Sequence, residues 1–144
     1  MFTVTRHTKT PLVGPIVMVD DEIDLVRSTV EMLRKEFDPT PVIGISDPRE
    51  ALALLDRERP AVLITDIRMP HINGLELIIY AQKKWSSIPI IAITARHEEA
   101  MEKACRDVGM VDFIPKDIWR PKWEPMIIKT LTRWLPAGIT ERRA

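Results

Sequence analysis

The amino-acid sequence predicts an α/β domain built on a doubly wound, five-stranded parallel sheet with helices on both faces. Five short apolar runs alternate along the chain with five stretches whose apolar residues recur at helical spacing. This alternation is typical of right-handed βαβ units. The central runs show no polar alternation, which is expected of parallel strands that are covered by helices on both faces.

The chain length and composition bound the possible functions. Its 144 residues are enough for one domain with a substantial core, and we predict a flexible N-terminal extension over residues 1–15, a folded domain over 16–136 and a C-terminal tail over 137–144. The charge is balanced, with 21 basic and 21 acidic residues and no basic stripe, so nucleic-acid binding by this chain alone is not expected. A single cysteine and the lack of a membrane-spanning apolar run predict a soluble, cytoplasmic protein without membrane contact.

The five predicted strands are short and mostly apolar. Prolines flank the second strand, which suits a sheet edge because proline cannot donate a hydrogen bond to a neighbouring strand. In order along the chain, the strands cover residues 16–19, 41–46, 61–66, 88–94 and 110–114.

The helices are predicted from apolar residues three and four positions apart and from residues that favour helix ends. Pro48 suits the first turn of the second helix, and Asn73 is the natural N-cap of the third. The fourth helix is predicted over residues 96–108, and the last begins between residues 121 and 125. The apolar face of the first helix consists of Ile23, Val26, Val30, Leu33 and Phe37.

Polar side chains follow four of the strands at the point where each strand ends. Asp20 and Asp21 follow the first strand, and Asp66 ends the third. Thr94 ends the fourth strand, and Lys116 follows the fifth. Because ligands of open α/β sheets bind beyond the carboxyl ends of the strands, we expect these residues to form one site.

The chemistry of this set suits a phosphoryl group. Neighbouring carboxylates repel each other unless a cation or protons neutralise them, and an all-oxygen cluster suits Mg²⁺ or Mn²⁺. A carboxylate can also accept a phosphoryl group and form an acyl phosphate. We therefore predict that Asp66 is the acceptor and that Asp20 and Asp21 bind the metal. Thr94 and Lys116 would supply a hydroxyl and an ammonium to the phosphate.

The same residues also fit structural roles. Asp20 and Asp21 suit the start of the first helix, where acidic residues interact favourably with the helix dipole. Thr94 suits an ordinary β-branched strand position, and Lys116 suits a structural partner of the acids.

Four motifs in this order resemble the signature set of response-regulator receiver domains of the single-domain type. They are Val19-Asp20-Asp21, Asp66-Ile67-Arg68-Met69-Pro70 with Gly74 following, Thr94-Ala95 and Phe113-Ile114-Pro115-Lys116. The resemblance spans roughly residues 16–135 and implies the flavodoxin-like strand order 2-1-3-4-5. In that order the first and fourth strands both lie beside the third, about 4.8 Å away.

The resemblance also implies a phosphorylation-dependent switch of a two-component phosphorelay. Asp66 would take its phosphoryl group from a sensor histidine kinase or a histidine phosphotransfer protein. Asp20, Asp21, Asp66 and the backbone carbonyl of Arg68 would bind Mg²⁺ or Mn²⁺. The chain would signal through protein contacts and would not be a turnover enzyme.

Further roles are implied around the site. Phe113 would be the switch aromatic, although an aromatic residue in a strand is also typical of a core. Arg68 and Arg96 are cationic at positions that tune the lifetime of the acyl phosphate in this family. Family members usually have proline after the lysine, whereas Asp117 follows here and is available to compete for the lysine. We expect His97 to be solvated.

The output surface implied by the resemblance consists of the fourth helix, the fifth strand and the fifth helix. We expect a downstream protein or a second copy of the chain to bind there. Trp119 and Trp123 lie among prolines and charged residues, which favours exposure at such an interface, whereas Trp134 is predicted to pack in the core.

Two other functions are compatible with the acidic cluster. One is a Mg²⁺-dependent phosphohydrolase with an aspartyl nucleophile, but such enzymes typically carry a second acid at the position that Arg68 occupies. The other is a scaffold that keeps the fold and does not use phosphate. The complete set of acids, hydroxyl and ammonium gives this second alternative little support.

Overall fold

The computed structural model describes residues 12–116 and 120–135, except for the side chains of residues 120–122. Strands and helices alternate as predicted. In chain order the elements are β1 (Ile16–Val19), α1 (Ile23–Phe37), β2 (Val42–Ile45), α2 (Pro48–Arg57), β3 (Val62–Asp66), α3 (Gly74–Lys84), β4 (Ile90–Thr94), α4 (Glu99–Val108), β5 (Asp112–Pro115) and α5 (Arg120–Trp134).

The strands form one parallel sheet in the order β2-β1-β3-β4-β5, which confirms the predicted fold class and strand order. The register places Asp66 of β3 opposite Ile93 of β4, and Thr94 of β4 opposite Pro115 of β5. The carboxyl ends of these three strands are therefore nearly level. Residues that follow the strands are presented at the same edge of the sheet.

Helices cover both faces of the sheet, as the apolar pattern of the strands requires. The helices α1 and α5 share one core cluster with the sheet, while α2, α3 and α4 contribute to a second cluster on the other face. The strands β1, β3 and β4 are buried along their whole length. This double cover gives the central strands, and the residues at their ends, a rigid support.

The start of α3 is packed tightly against the end of β3. Asn73 and Glu76 form a capping box, which confirms the predicted N-cap. The amide of Gly74 donates a 2.6 Å hydrogen bond to the carbonyl of Ile67. A Cβ atom at Gly74 would lie 2.3 Å from the carbonyl oxygen of Asp66, so only glycine fits without moving the backbone.

Two helices begin at positions other than those predicted. The helix α4 begins at Glu99 and not at residue 96, because the amide of Arg96 donates to the hydroxyl of Thr94 (3.1 Å) and holds a turn after β4. The helix α5 begins at residue 120 and continues through Pro125. Pro125 is the sixth residue of α5 and has no amide hydrogen to donate to the preceding turn, so one hydrogen bond of the helix is absent there.

Some predicted exposures are wrong. Trp123 is 2% exposed and belongs to the core cluster beneath α1 and α5, whereas Trp134 is 39% exposed and its indole donates a 2.8 Å hydrogen bond to Asp112. Ile23, assigned to the apolar face of α1, is 57% exposed because it begins the helix at the edge of the sheet. Trp119 lies outside the described residues.

The ends of the chain are described only in part, since residues 1–11 and 136–144 lie outside the described range. Most of the predicted N-terminal extension and the whole predicted tail fall there. Leu12 is buried in the core, and its amide donates a 3.0 Å hydrogen bond to the hydroxyl of Thr40. No helix among the described residues has the length and apolar character needed to cross a membrane.

Replacing Gly74 with alanine is expected to destabilise the protein by about 1–3 kcal/mol, because the new methyl group overlaps the backbone at the end of β3. Urea denaturation measures the change. Helix propensity alone predicts a gain of up to about 1 kcal/mol, so a more stable variant would contradict the packing argument. Ala53→Gly, on the exposed side of α2, measures the propensity term separately.

Candidate functional site

The predicted acidic residues meet at the carboxyl edge of the sheet. Asp20, Asp21 and Asp66 each offer a carboxylate oxygen, and these oxygens lie within 4.8 Å of one another. The adjacent strands β1 and β3 produce this arrangement by ending level with each other. Asp20 and Asp66 are 0% and 3% exposed, while Asp21 is open to solvent.

Lys116 lies across the acidic cluster, at the end of β5. Its Nζ is 2.8 Å from Asp20 Oδ2 and 3.4 Å from Asp66 Oδ2. The same Nζ is 2.5 Å from Glu22 Oε1, and the Lys116 amide donates a 2.6 Å hydrogen bond to the carbonyl of Thr94. The sequence pattern predicts no role for Glu22, although this residue directly follows the acid pair. Its position at the N-cap of α1 lets its carboxylate reach the ammonium.

Burial and charge together shift the protonation of the cluster. Burial raises the pKa of Asp66 to about 6, with a further rise from the charge of Asp20 and an opposing effect of the Lys116 ammonium. Burial also raises the pKa of Asp20, against the effects of Lys116 and the Glu22 amide. Burial lowers the pKa of Lys116, but the carboxylates of Asp20 and Glu22 outweigh it, so that pKa lies above its ordinary value. The site is therefore short of positive charge.

The residues present fit a hard divalent cation. Asp20 Oδ2 is buried and makes no hydrogen bond of standard geometry among the described residues, although the ammonium of Lys116 is close to it. Asp21 and Asp66 offer further carboxylate oxygens within 4.8 Å. Oxygen-only donor sets of this kind are those that Mg²⁺ and Mn²⁺ prefer. Coordination of the cation by the backbone carbonyl of Arg68 remains a prediction.

Thr94 is at the predicted edge, but its hydroxyl does not contact the acids. The hydroxyl donates to the carbonyl of Arg96 at 3.0 Å and accepts from the amide of the same residue at 3.1 Å. Thr94 is buried, and the two hydrogen bonds with the Arg96 backbone satisfy its hydroxyl. A phosphate-binding role requires the hydroxyl to exchange that partner.

The two arginines expected to tune the site differ in their surroundings. The amide of Arg68 lies 3.4 Å from Asp66 Oδ1, while its guanidinium forms an ion pair with the carboxylate of Glu98. The Arg96 side chain is exposed and has no ion-pair partner within residues 12–116 and the described part of α5. The sequence pattern did not reveal Glu98, because the pair joins two loops that are far apart in the chain.

Phe113 is half-buried beside a histidine. Its ring centroid lies 5.2 Å from that of His97, with the planes tilted by 50°. The His97 side chain is 48% exposed, as expected of a solvated histidine, and its Nε2 is 2.5 Å from a carboxylate oxygen of Glu102. A switch role for Phe113 would therefore involve this histidine.

Without divalent cations, Asp66→Asn is expected to stabilise the protein at pH 8. The folded-state pKa of about 6 exceeds the ordinary 3.8, so the folded state binds more protons and wild-type stability falls as pH rises from about 4 to 6. The ionised carboxylate then costs about 3 kcal/mol, which asparagine removes. The advantage should vanish near pH 4.

Urea denaturation at both pH values in a chelating buffer measures this difference. Asp24→Asn, on the exposed face of α1, serves as the control for loss of one surface carboxylate. If the stability difference between Asp66→Asn and wild type were the same at pH 4 and pH 8, ionisation of the buried Asp66 carboxylate would carry no cost, which would contradict its raised pKa.

This chain is similar to a known family model and to several known proteins. The model of the response regulator receiver domain matches residues 16–127. Response regulator MprA of Mycolicibacterium vanbaalenii is 34% identical over 103 residues, which are 70% of this chain and 43% of MprA. An uncharacterised 14.6 kDa protein of Leptolyngbya boryana is 35% identical over 107 residues, covering 72% of this chain and 79% of that protein. The chain thus spans less than half the length of MprA.

A solved structure shows the same fold. The chemotaxis protein CheY4 of Vibrio cholerae is 25% identical and superposes with a TM-score of 0.74, over 85% of this chain and 99% of CheY4. The family match covers most of the chain and includes every strand of the sheet. This chain belongs to the response regulator receiver domain family, the phosphoacceptor domains of two-component signalling.

Proposed function

We propose that this chain is a phosphorylation switch of a two-component phosphorelay and that Asp66 is its phosphoacceptor. The donor would be a phosphohistidine of a sensor histidine kinase or of a histidine phosphotransfer protein. The observation that carries this assignment is the cluster of Asp20, Asp21 and Asp66 against the ammonium of Lys116. Within the proposed domain, residues 16–136, this cluster lies at the edge where α/β sheets bind ligands.

The proposed reaction transfers one phosphoryl group. An oxygen of the Asp66 carboxylate forms a bond to phosphorus as the bond between phosphorus and the histidine nitrogen breaks, and the nitrogen keeps the electron pair. Lys116, 3.4 Å from Asp66, remains beside the oxygens of the transferred group. Its charge opposes the negative charge that the phosphoryl group brings into a buried site.

Mg²⁺, or Mn²⁺, is the cofactor that the donor set favours. Asp20, Asp21, Asp66 and the backbone carbonyl of Arg68 would hold it. When bound, the cation supplies positive charge to the carboxylates and to the phosphoryl oxygens. The burial of Asp20 and the closeness of its carboxylate to those of Asp21 and Asp66 support this assignment.

Transmission of the signal would begin at Thr94. We propose that its hydroxyl leaves the carbonyl of Arg96 and donates to a phosphoryl oxygen, which shifts the loop between β4 and α4. Phe113, in ring contact with His97 of that loop, would respond as the switch aromatic. The surface formed by α4, β5 and α5 would then bind a downstream protein or a second copy of the chain.

We propose no turnover activity for this chain. A phosphohydrolase with an aspartyl nucleophile would need an acid to assist the leaving group, and the loop after Asp66 presents Arg68 instead. Autodephosphorylation of Asp66 would return the switch to its starting state.

Incubation with Mg²⁺ and acetyl phosphate is expected to add one phosphoryl group, which intact-protein mass spectrometry detects. Asp66→Ala should abolish the addition, and Asp24→Asn, an exposed acid on α1, should leave it unchanged. Continuous release of phosphate over many turnovers would instead indicate a phosphohydrolase. A complete lack of labelling would indicate a scaffold that does not use phosphate.

Lys116→Gln is expected to slow phosphorylation about a hundredfold, because one positioned charge on the transferred group is lost. The metal-free variant should also lose about 3–5 kcal/mol of stability at pH 8, since its buried carboxylates lose their cation. The loss should shrink at pH 5, where protons neutralise Asp66. Lys103→Gln, on the exposed face of α4, is the matched control. Equal labelling rates in both variants would argue against the role of Lys116.

A further inference from the structure

An ion pair crosses the mouth of the site from one loop to another. The guanidinium of Arg68, in the loop after β3, pairs with the carboxylate of Glu98 at the N-cap of α4. Glu98 makes no side-chain capping bond to α4, so its carboxylate is directed to the arginine. The pair therefore links the loop after β3 to the start of α4.

The helix α4, which carries Glu98 at its N-cap, buries few residues against the rest of the protein. Within α4, Cys105 is the one fully buried residue, whereas α1 buries six of its residues. A cleft of about 300 Å³ separates the loop after β3 from α4 and is lined by Arg68, Met69 and Met101, among others. Few apolar contacts oppose movement of the helix start, so even a weak ion pair is enough to bias its position.

Arg68 is also close to the position that a phosphoryl group on Asp66 would occupy. Its amide lies 3.4 Å from Asp66 Oδ1, and the long side chain can turn from its exposed position toward that oxygen. Lys116 is already in contact with Asp20 and Glu22. Arg68 is thus a second cation available to the phosphoryl group.

The energetics favour an exchange of partners by Arg68. Both side chains of the pair with Glu98 are partly exposed, and ion pairs of this kind contribute little to stability. A phosphoryl group carries roughly −1.5 to −2 charges and accepts two parallel hydrogen bonds from a guanidinium. The phosphoryl group is therefore the stronger partner.

We propose that Glu98 is a positioning residue that holds Arg68 away from the site until Asp66 is phosphorylated. Arg68 then leaves Glu98 for the phosphoryl group, and the start of α4 is released. This inference rests on the proposed phosphorylation of Asp66. Glu98 and the phosphoryl group compete for Arg68, and this competition links the start of α4 to the chemistry at Asp66.

The test measures the affinity of the full chain for beryllofluoride, an anionic mimic of a phosphoryl group, in the presence of Mg²⁺. Glu98→Gln removes the competitor and should tighten binding about two- to fivefold, the range expected for a partly exposed ion pair. The same substitution in an Arg68→Gln background should have no effect. In an Arg96→Gln background the tightening should persist, because that arginine does not pair with Glu98 among the described residues.

Glu99→Gln, the adjacent exposed acid at the start of α4, is the control for general loss of negative charge. An unchanged affinity in Glu98→Gln, or equal tightening with and without Arg68, would overturn the proposal while leaving the proposed function intact. A wild-type chain that neither binds beryllofluoride nor becomes labelled on Asp66 would overturn both.

Discussion

The ammonium of Lys116 is the interaction on which the site depends. It is the one cation that contacts the buried carboxylates of Asp20 and Asp66 among the described residues, and it also holds Glu22. Burial makes these carboxylates costly to ionise, because water no longer solvates their charge. One ammonium does not neutralise the cluster, so the site remains ready to take up further positive charge or a proton.

The fold makes this arrangement possible. Parallel strands end level with one another, and each end contributes a different polar group while helices on both faces keep the strands rigid. The elements near the site differ in how firmly they are held: Gly74 locks α3 against β3, whereas α4 is attached by few buried contacts. A change of charge at Asp66 is therefore expected to move α4 before it moves α3.

The architecture could be predicted well from the sequence because the spacing of apolar residues and the residues at helix ends are local signals. The helices and strands follow from the apolar runs, the proline after Asp47 and the N-cap Asn73, and the acidic cluster and Lys116 follow from the strand ends. The features that could not be predicted depend on contacts between distant parts of the chain. The burial of Trp123 and the pairing of Arg68 with Glu98 join segments whose proximity no local pattern encodes.

Titration of the Asp66 carboxyl carbon by NMR, in the metal-free protein, measures how strongly the cluster resists ionisation. We expect a midpoint near pH 6, because burial and the charge of Asp20 outweigh the attraction of Lys116. A midpoint near the ordinary value of 3.8 would mean that Lys116 neutralises the cluster, and it would contradict the claim that the site is short of positive charge.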